Sequence, residues 1–498
     1  MRLDEYQWSR NPRGMHNTGV FRYDLRRYRE IKAGWVKLVS ADHEFVPNIP
    51  ELLAAGITPI IRVYRAGWGS RAADAQIYAD IARYIQAGAR WFELWNEPNL
   101  GNEWPAPLGS TLDPNNVSVY IAPLMDHWVE WAERVIEMGG YPAFIALAES
   151  DSPPHHTTGW LRNMMIYLRD VHAARFRRIL GNGLWLATHP YLYNHFYQEI
   201  PGGGPLSARP PEQQNAAQGG WHFEYPYDPI GQADDPGRTV WGNTPRTPYG
   251  DPNGLTSVGH AFMELLRDYF GGGVVPVVGT EGGIWPWPGP GDGTRVDDAR
   301  YPGVTWQSHA EATAAMFDWL ASSAAPPWMF GVTLWKEDAY WESPHGVAPA
   351  VQRLAGLPAP LKEVPPLDTG GTVWSSPLQP NAVATPLPEG PGPVHGGPDY
   401  HFIILAPGID PEWFFQAAEQ YWLRFAPVLL DSPALIAELP YDKTLAVTVI
   451  ATPDQAEAMN ATIRDRWPTI WYDLIIVQSA ADLLTVFNQR LNVNRRFG

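Results

Sequence analysis

The chain has 498 residues, a formal net charge of −17 and no cysteine; the length suits one large domain plus a smaller one. The acidic balance argues against nucleic acid as a partner, because a phosphate backbone calls for a basic face, and the lack of cysteine removes disulfides, thiolate catalysis and thiolate zinc sites. No apolar run reaches the roughly 18 residues of a membrane span, and the opening MRLDEYQWSRNPRG has no signal-peptide core, so a cytoplasmic protein, or one whose leader has been removed, is expected.

From the start to about residue 340, short apolar runs alternate with amphipathic stretches, the pattern of βα units around a parallel sheet. Strands are expected at residues 13–16, 35–39, 58–64, 91–95, 143–147, 184–188, 274–278 and 330–334. Apolar residues at i, i+3 and i+4 predict helices over 117–138, 160–180, 257–270 and 308–322. Eight strands with intervening helices predict a (β/α)₈ TIM barrel over residues 1–356. A doubly wound open sheet is the rival, and its Gly-rich phosphate turn is missing.

Two long insertions follow late strands. Residues 195–254 hold Trp221, Tyr225, Tyr227 and Trp241, and residues 282–305 hold Trp285 and Trp287. Loops after strand ends build the rim of a barrel's site, and the flat faces of such aromatics suit sugar rings. Residues 357–398 are Pro-rich and read as a linker or a surface strap. Residues 399–498 carry strand-like runs at 400–405, 444–450 and 472–477 and helical runs at 411–426, 453–466 and 479–491. They read as a small α/β domain of unassigned role.

Two glutamates end predicted strands: Glu97 in FELWNEPNL and Glu281 in VVGTEGG. On a barrel, the C-terminal ends of all strands meet at one face, so the fourth and seventh strands bring these carboxyls together. A retaining glycosidase uses such a pair about 5–5.5 Å apart: one protonates the leaving oxygen while the other attacks the anomeric carbon. An attacking carboxylate must stay ionised and needs donors; the His189 imidazole, the Tyr191 hydroxyl and the Asn96 amide are candidates. An acid needs a raised pKa, for which a position between Trp95 and Pro98 offers Glu97 an apolar setting. Glu93 alternates onto the same predicted face as Trp95 and Glu97.

Trp91-Phe-Glu-Leu-Trp-Asn-Glu-Pro-Asn99 resembles the fourth-strand signature of clan A glycoside hydrolases, closest in wording to family 39, with family 5 also similar. The resemblance covers roughly residues 12–345. It implies Glu97 as general acid/base and Asn96 as a ligand of the sugar 2-hydroxyl. It further implies Glu281, in Thr280-Glu281-Gly282, as nucleophile, with His189 and Tyr191 of His189-Pro-Tyr191 beside it. Trp335, in VTLWKE, implies the floor of the substrate subsite, and Trp285 joins it as a substrate-binding candidate on the rim. For the clan's supporting Arg on an early strand, Lys37 and Arg62 both stand in place.

The expected activity is retaining hydrolysis of a β-linked glycoside or β-glycan, with a carbohydrate substrate as partner, neither nucleic acid nor membrane, an unassigned oligomeric state, and no cofactor or metal. The alternatives are a barrel that binds carbohydrate without catalysis and a transglycosylase using the same residues. His155-His156 lacks the third ligand of a metal site, Gly202-Gly-Gly204 and Pro288-Gly-Pro-Gly291 lack the Lys of a phosphate cradle, and Asp292, Asp297 and Asp298 match no calcium loop.

Overall fold

The computed structural model describes residues 1–19, 22–192, 195–198, 221–223, 232, 233, 235–242, 244–284, 306–342, 348–372, 400–425, 427–430, 433, 436, 445–464, 466, 467, 470–492 and 496. The chain divides into two compact units, Met1–Ala382 and Val383–Gly498.

The first unit is a closed barrel of eight parallel strands: β1 (Arg13–His16), β2 (Trp35–Ser40), β3 (Thr58–Val63), β4 (Trp91–Glu93), β5 (Tyr141–Phe144), β6 (Trp185–Thr188), β7 (Val277–Ile284) and β8 (Met329–Leu334). Each strand pairs with the next in sequence. Strand β8 sets Met329 against Val277 of β7 and Val332 against Arg13 of β1, and this closes the ring. Strands covered on both faces read as continuous apolar runs, which is why these segments stood out in the sequence.

Helices α1 (Leu25–Glu30), α2 (Ile49–Ala54), α3 (Ala75–Gln86), α4 (Val117–Glu137), α5 (Thr157–Val171), α6 (Ala173–Gly181), α7 (Ser257–Phe270), α8 (Trp306–Ala321) and α9 (Ala348–Gly356) belong to the same unit. Helix α3 shows the local logic. Asp74 caps it by accepting from the Ile77 N–H at 2.8 Å, and Ile77, Ile81 and Tyr84 form the buried stripe. The single helix predicted over 160–180 is two helices, because His172 leaves helical geometry and pairs its ring with Asp126 of α4 at 2.6 Å.

Two predicted strands are shifted. Strand β5 starts at Tyr141, two residues early, and β7 starts at Val277 and runs on through Glu281 to Ile284. Pro276 precedes β7, where a residue without an N–H is tolerated.

The barrel's N-terminal end is plugged by aromatics. Tyr6 and Trp8 pack on Trp91, Trp35 and Phe330, with Trp8 stacked on Phe330 at 4.3 Å, and the Tyr6 hydroxyl donates to the Leu184 carbonyl at 2.6 Å. Residues 357–372 run along this unit, with Lys362 N–H bonded to the Arg10 carbonyl and Thr369 N–H to the Met1 carbonyl. The remainder of the Pro-rich stretch, from 373, lies outside the described residues.

The second unit is a four-stranded parallel sheet in the order β10-β9-β11-β12, from β9 (Tyr400–Leu405), β10 (Val428–Leu430), β11 (Leu445–Ala451) and β12 (Trp471–Ile476). Strand β10 was not expected. Helices α10 (Pro411–Phe425), α11 (Ala456–Met459) and α12 (Ala480–Asn492) accompany it, and Tyr421 of α10 stacks on Phe487 of α12 at 4.5 Å. Among the described residues no helix is long and apolar enough to cross a membrane.

Candidate active site

The C-terminal end of the barrel gathers charge where the other end gathers aromatics. Inward positions of β2, β3 and β4 carry Lys37, Arg62 and Glu93, all nearly fully buried, and Glu281 lies on β7 facing them. Glu281 Oε1 accepts from Lys37 Nζ at 3.1 Å and from Arg62 at 3.2 Å, and its Oε2 accepts from the Tyr191 hydroxyl at 2.9 Å. His16, the last residue of β1, adds Nε2 at 3.6 Å. Both early-strand cations therefore hold Glu281, and the question the sequence left between Lys37 and Arg62 has the answer that each contacts it.

Burial raises the pKa of Glu281, but Lys37, His189 and His16 outweigh it, and the group ionises well below the usual carboxylate range. Lys37 also pairs with Glu93 at 2.9 Å. Burial acts on Glu93 in the same sense, and Lys37, His189 and Thr280 overcome it to lower its pKa. Two anions and two cations thus balance inside the barrel, as buried charges must.

Glu97 sits on a turn just beyond β4, with φ of +38°, a region a non-glycine residue enters only when its surroundings hold it there. The surroundings are visible. Its N–H donates to the Ala146 carbonyl at 2.9 Å. Two residues on, the Asn99 amide pairs with the backbone of Ala148 in both directions, each bond 2.9 Å, as a strand neighbour would.

This turn breaks the strand alternation. Glu93 faces the barrel interior, but the Trp95 ring packs edge-on against Trp131 of α4 at 5.7 Å. The expectation that Trp95 shares a face with Glu93 and lines Glu97 is therefore corrected.

His189 lies between the two carboxyls. Its Nδ1 is 2.7 Å from Glu97 Oε1 and its Nε2 is 3.8 Å from Glu281 Oε1. A neutral imidazole has one donor and one acceptor nitrogen. The tautomer decides whether Nδ1 donates to the Glu97 carboxyl or accepts from it.

Tyr191 and Trp335 complete the described surroundings. Trp335 follows β8, its N–H bonded to the Gly282 carbonyl at 2.9 Å, and its ring meets His16 edge-on at 4.5 Å. The Asn96 amide donates to Glu103 Oε1 at 2.8 Å. Expected as a donor to Glu281, the Asn96 amide bonds Glu103 instead. Burial raises the pKa of Glu103; Asn96 opposes this and the charges of Glu97 and Glu281 add to it.

Trp285, Trp287, Tyr225, Tyr227, the glycine stretches of both insertions and the aspartates at 292, 297 and 298 lie outside the described residues. Trp221 stacks beside Phe196 at 6.1 Å, and Trp241 bonds Glu264 of α7 beneath the Arg162 guanidinium, so both are packed into the protein. His155 bonds the Asn99 carbonyl at 2.6 Å.

His16, Thr280 and Glu103 escaped the sequence reading. His16 ends β1, at the same C-terminal face of the barrel as Glu97 and Glu281, so a polar residue at a strand end was the available signal. Glu103 had none, since it arrives through a short 3₁₀ turn in the β4 loop.

No protein-family model and no curated protein sequence matches the chain. Among solved structures, it is similar to an endo-β-1,3-glucanase of family GH128, subgroup I, from Amycolatopsis mediterranei: 17% identity, 69% of this chain and 99% of that one covered, TM-score 0.35. A GH5_18 protein from Bifidobacterium longum subsp. infantis is 12% identical over 95% of this chain and 99% of its own, with TM-score 0.35. An exo-β-1,4-mannosidase from Opitutaceae bacterium strain TAV5 is 12% identical over 91% and 75%, with TM-score 0.31. The eight-stranded barrel is established by the strand pairing of the chain itself, and the chemistry is argued from its own residues.

Proposed function

We propose that the chain is a retaining glycoside hydrolase acting on β-linked glycosides or β-glycans. The observation that carries this reading is the single imidazole of His189 set between Glu97 and Glu281, with Glu281 held ionised by Lys37 and Arg62. In the first step Glu97 gives its proton to the leaving oxygen while Glu281 attacks the anomeric carbon, breaking the glycosidic bond and forming a glycosyl ester. In the second, Glu97 takes a proton from water as that water displaces Glu281 and frees the sugar.

The roles follow from the unequal surroundings of the two groups. Glu281 has two cations and a hydroxyl on it, which suits a nucleophile that must be charged. Glu97 has an imidazole and a more open position, its side chain 15% exposed against 6% for Glu281. That suits a group exchanging protons first with a leaving group and then with water.

The test is a hydrolysis screen of aryl β-glycosides and β-glycans, with the Glu281→Ala variant as the blank. Turnover by the wild type that vanishes in the folded variant supports the assignment and identifies the sugar. A folded wild type that turns over nothing, or a variant as active as the wild type, defeats it.

A further inference from the structure

A third carboxyl stands beside the pair. Glu149 lies past the end of β5, and the backbone on both sides of it is pinned. Ala148 is held by the Asn99 amide, and Ser150 N–H donates to the Thr157 hydroxyl at 2.9 Å while Thr157 N–H donates back to the Ser150 carbonyl. The residue is half-buried, yet both of its carboxyl oxygens are shut off from solvent and neither has a hydrogen-bond partner among the described residues.

A buried, unpaired carboxyl costs stability and calls for an explanation. Among the described residues no charge partner supplies one. The Tyr191 N–H is near, but it is bonded to the His189 carbonyl, and Gly254 N–H makes no bond of normal geometry to it. Burial pushes the pKa of Glu149 well above the usual range and the charge of Glu97 adds to this, with the two backbone N–H groups opposing. Burial thus favours the neutral carboxylic acid, a form with one O–H to donate and a carbonyl oxygen to accept.

The side of the site follows from the strand order. His16, Lys37 and Arg62 come from β1, β2 and β3, and Trp335 from the end of β8; all lie on the nucleophile's flank. Glu149 comes from β5, beside Glu97 on β4, and an acid must face the oxygen that leaves. We propose that Glu149 is a specificity-determining residue that hydrogen-bonds the hydroxyls of a leaving-group sugar beside Glu97. This rests on the glycosidase reading above and adds to it a substrate class: saccharides whose leaving group is itself a sugar.

The test compares two substrates of whichever sugar the wild type accepts: its 4-nitrophenyl β-glycoside, with no leaving-group hydroxyls, and its unmodified β-linked trisaccharide. For Glu149→Ala, kcat/KM on the trisaccharide should fall about tenfold or more, mostly through KM, the size expected for losing a substrate hydrogen bond. On the aryl glycoside it should stay within about twofold. Glu149→Gln, neutral with a donor and an acceptor, should restore most of the trisaccharide activity. Equal losses on both substrates, no loss on either, or failure of Glu149→Gln to rescue with its melting temperature intact would each overturn the assignment. Turnover of the aryl glycoside by the wild type, lost in Glu281→Ala, keeps that outcome distinct from failure of the glycosidase reading. A wild type silent on every substrate removes both.

Discussion

The ammonium of Lys37 lies 3.1 Å from Glu281 and 2.9 Å from Glu93, so one buried cation serves two carboxylates that otherwise face each other across the barrel. Replacing it with Met keeps the volume and removes the charge. Arg62 still holds Glu281, but Glu93 is left without its ion pair, and breaking a buried pair from one side costs about 3–5 kcal/mol. Lys37→Met should therefore melt markedly earlier.

The same substitution has a kinetic signature with a definite sign. Lys37 is the largest of the influences that lower the pKa of Glu281, so its removal must raise that pKa. Ionised Glu281 is the reactive form, so the acid limb of kcat/KM should move to higher pH. A pH–rate profile of the folded variant with an unmoved acid limb would count against Glu281 as the ionised nucleophile.

Glu97→Ala should divide substrates by leaving group. Aryl glycosides with acidic phenols need little protonation, so their first step should survive and the glycosyl-enzyme should accumulate. Unactivated saccharides should be lost, by a factor of about 10²–10⁴, the usual contribution of a general acid. Azide, which attacks without a base, should restore turnover and give a β-glycosyl azide. An α-azide product, or the absence of rescue alongside full activity on saccharides, would remove Glu97 from the acid/base role.

Most of the barrel was legible because parallel strands buried on both faces leave uninterrupted apolar runs. The strand ends were harder. Leu94 and Trp95 continue the apolar run of β4, yet regular pairing stops at Glu93 and the turn carrying Glu97 sends the Trp95 ring outward to Trp131. Alternation cannot be extrapolated through a residue at φ +38°. Glu97 and Glu281 were legible from motif and place. His16 was not, since RGMH is a weak strand by composition, and its contact with Glu281 comes from closure of the ring between β8 and β1. The Asn96 amide was expected toward Glu281, and Glu103, seven residues on, takes it instead.

His16 should leave its mark on stability as a function of pH. Burial lowers its pKa from 6.5 to about 4, with Glu281 opposing and Lys37 and Arg62 assisting. An unfolded chain protonates this histidine as the pH falls through about 6.5, while the folded protein resists until about 4. Between those values the unfolded state binds more protons, so stability declines as the pH falls. His16→Asn removes that slope. The difference in unfolding free energy between wild type and variant should shrink from pH 7 to pH 4, with the background from all other groups cancelling. A difference independent of pH across this window would mean that His16 is charged in the folded protein.

Behind Trp335, the buried carboxylate of Glu337 joins the strand-end loops of β1 and β8. Its Oε2 accepts from the Tyr28 hydroxyl at 2.8 Å and from the Asn17 amide at 2.9 Å, and its Oε1 accepts from Arg27 at 3.0 Å. Asn17 directly follows His16, and Glu337 lies two residues beyond Trp335, so the cluster ties together two residues that face each other at the nucleophile's flank. Tyr28→Phe removes the hydrogen bond to Glu337 and the acceptor that the Asn17 amide meets at 3.0 Å, and leaves the ring in place. Stability should fall by about 1.5–3 kcal/mol. Burial raises the pKa of Glu337 and Tyr28 is the largest influence opposing it, so the variant's loss should be largest where Glu337 is ionised and shrink as the pH falls through that raised value. Denaturant unfolding at pH 7 and pH 5 measures both effects. A loss below about 0.5 kcal/mol at each pH would show that Asn17 and Arg27 alone suffice to hold Glu337.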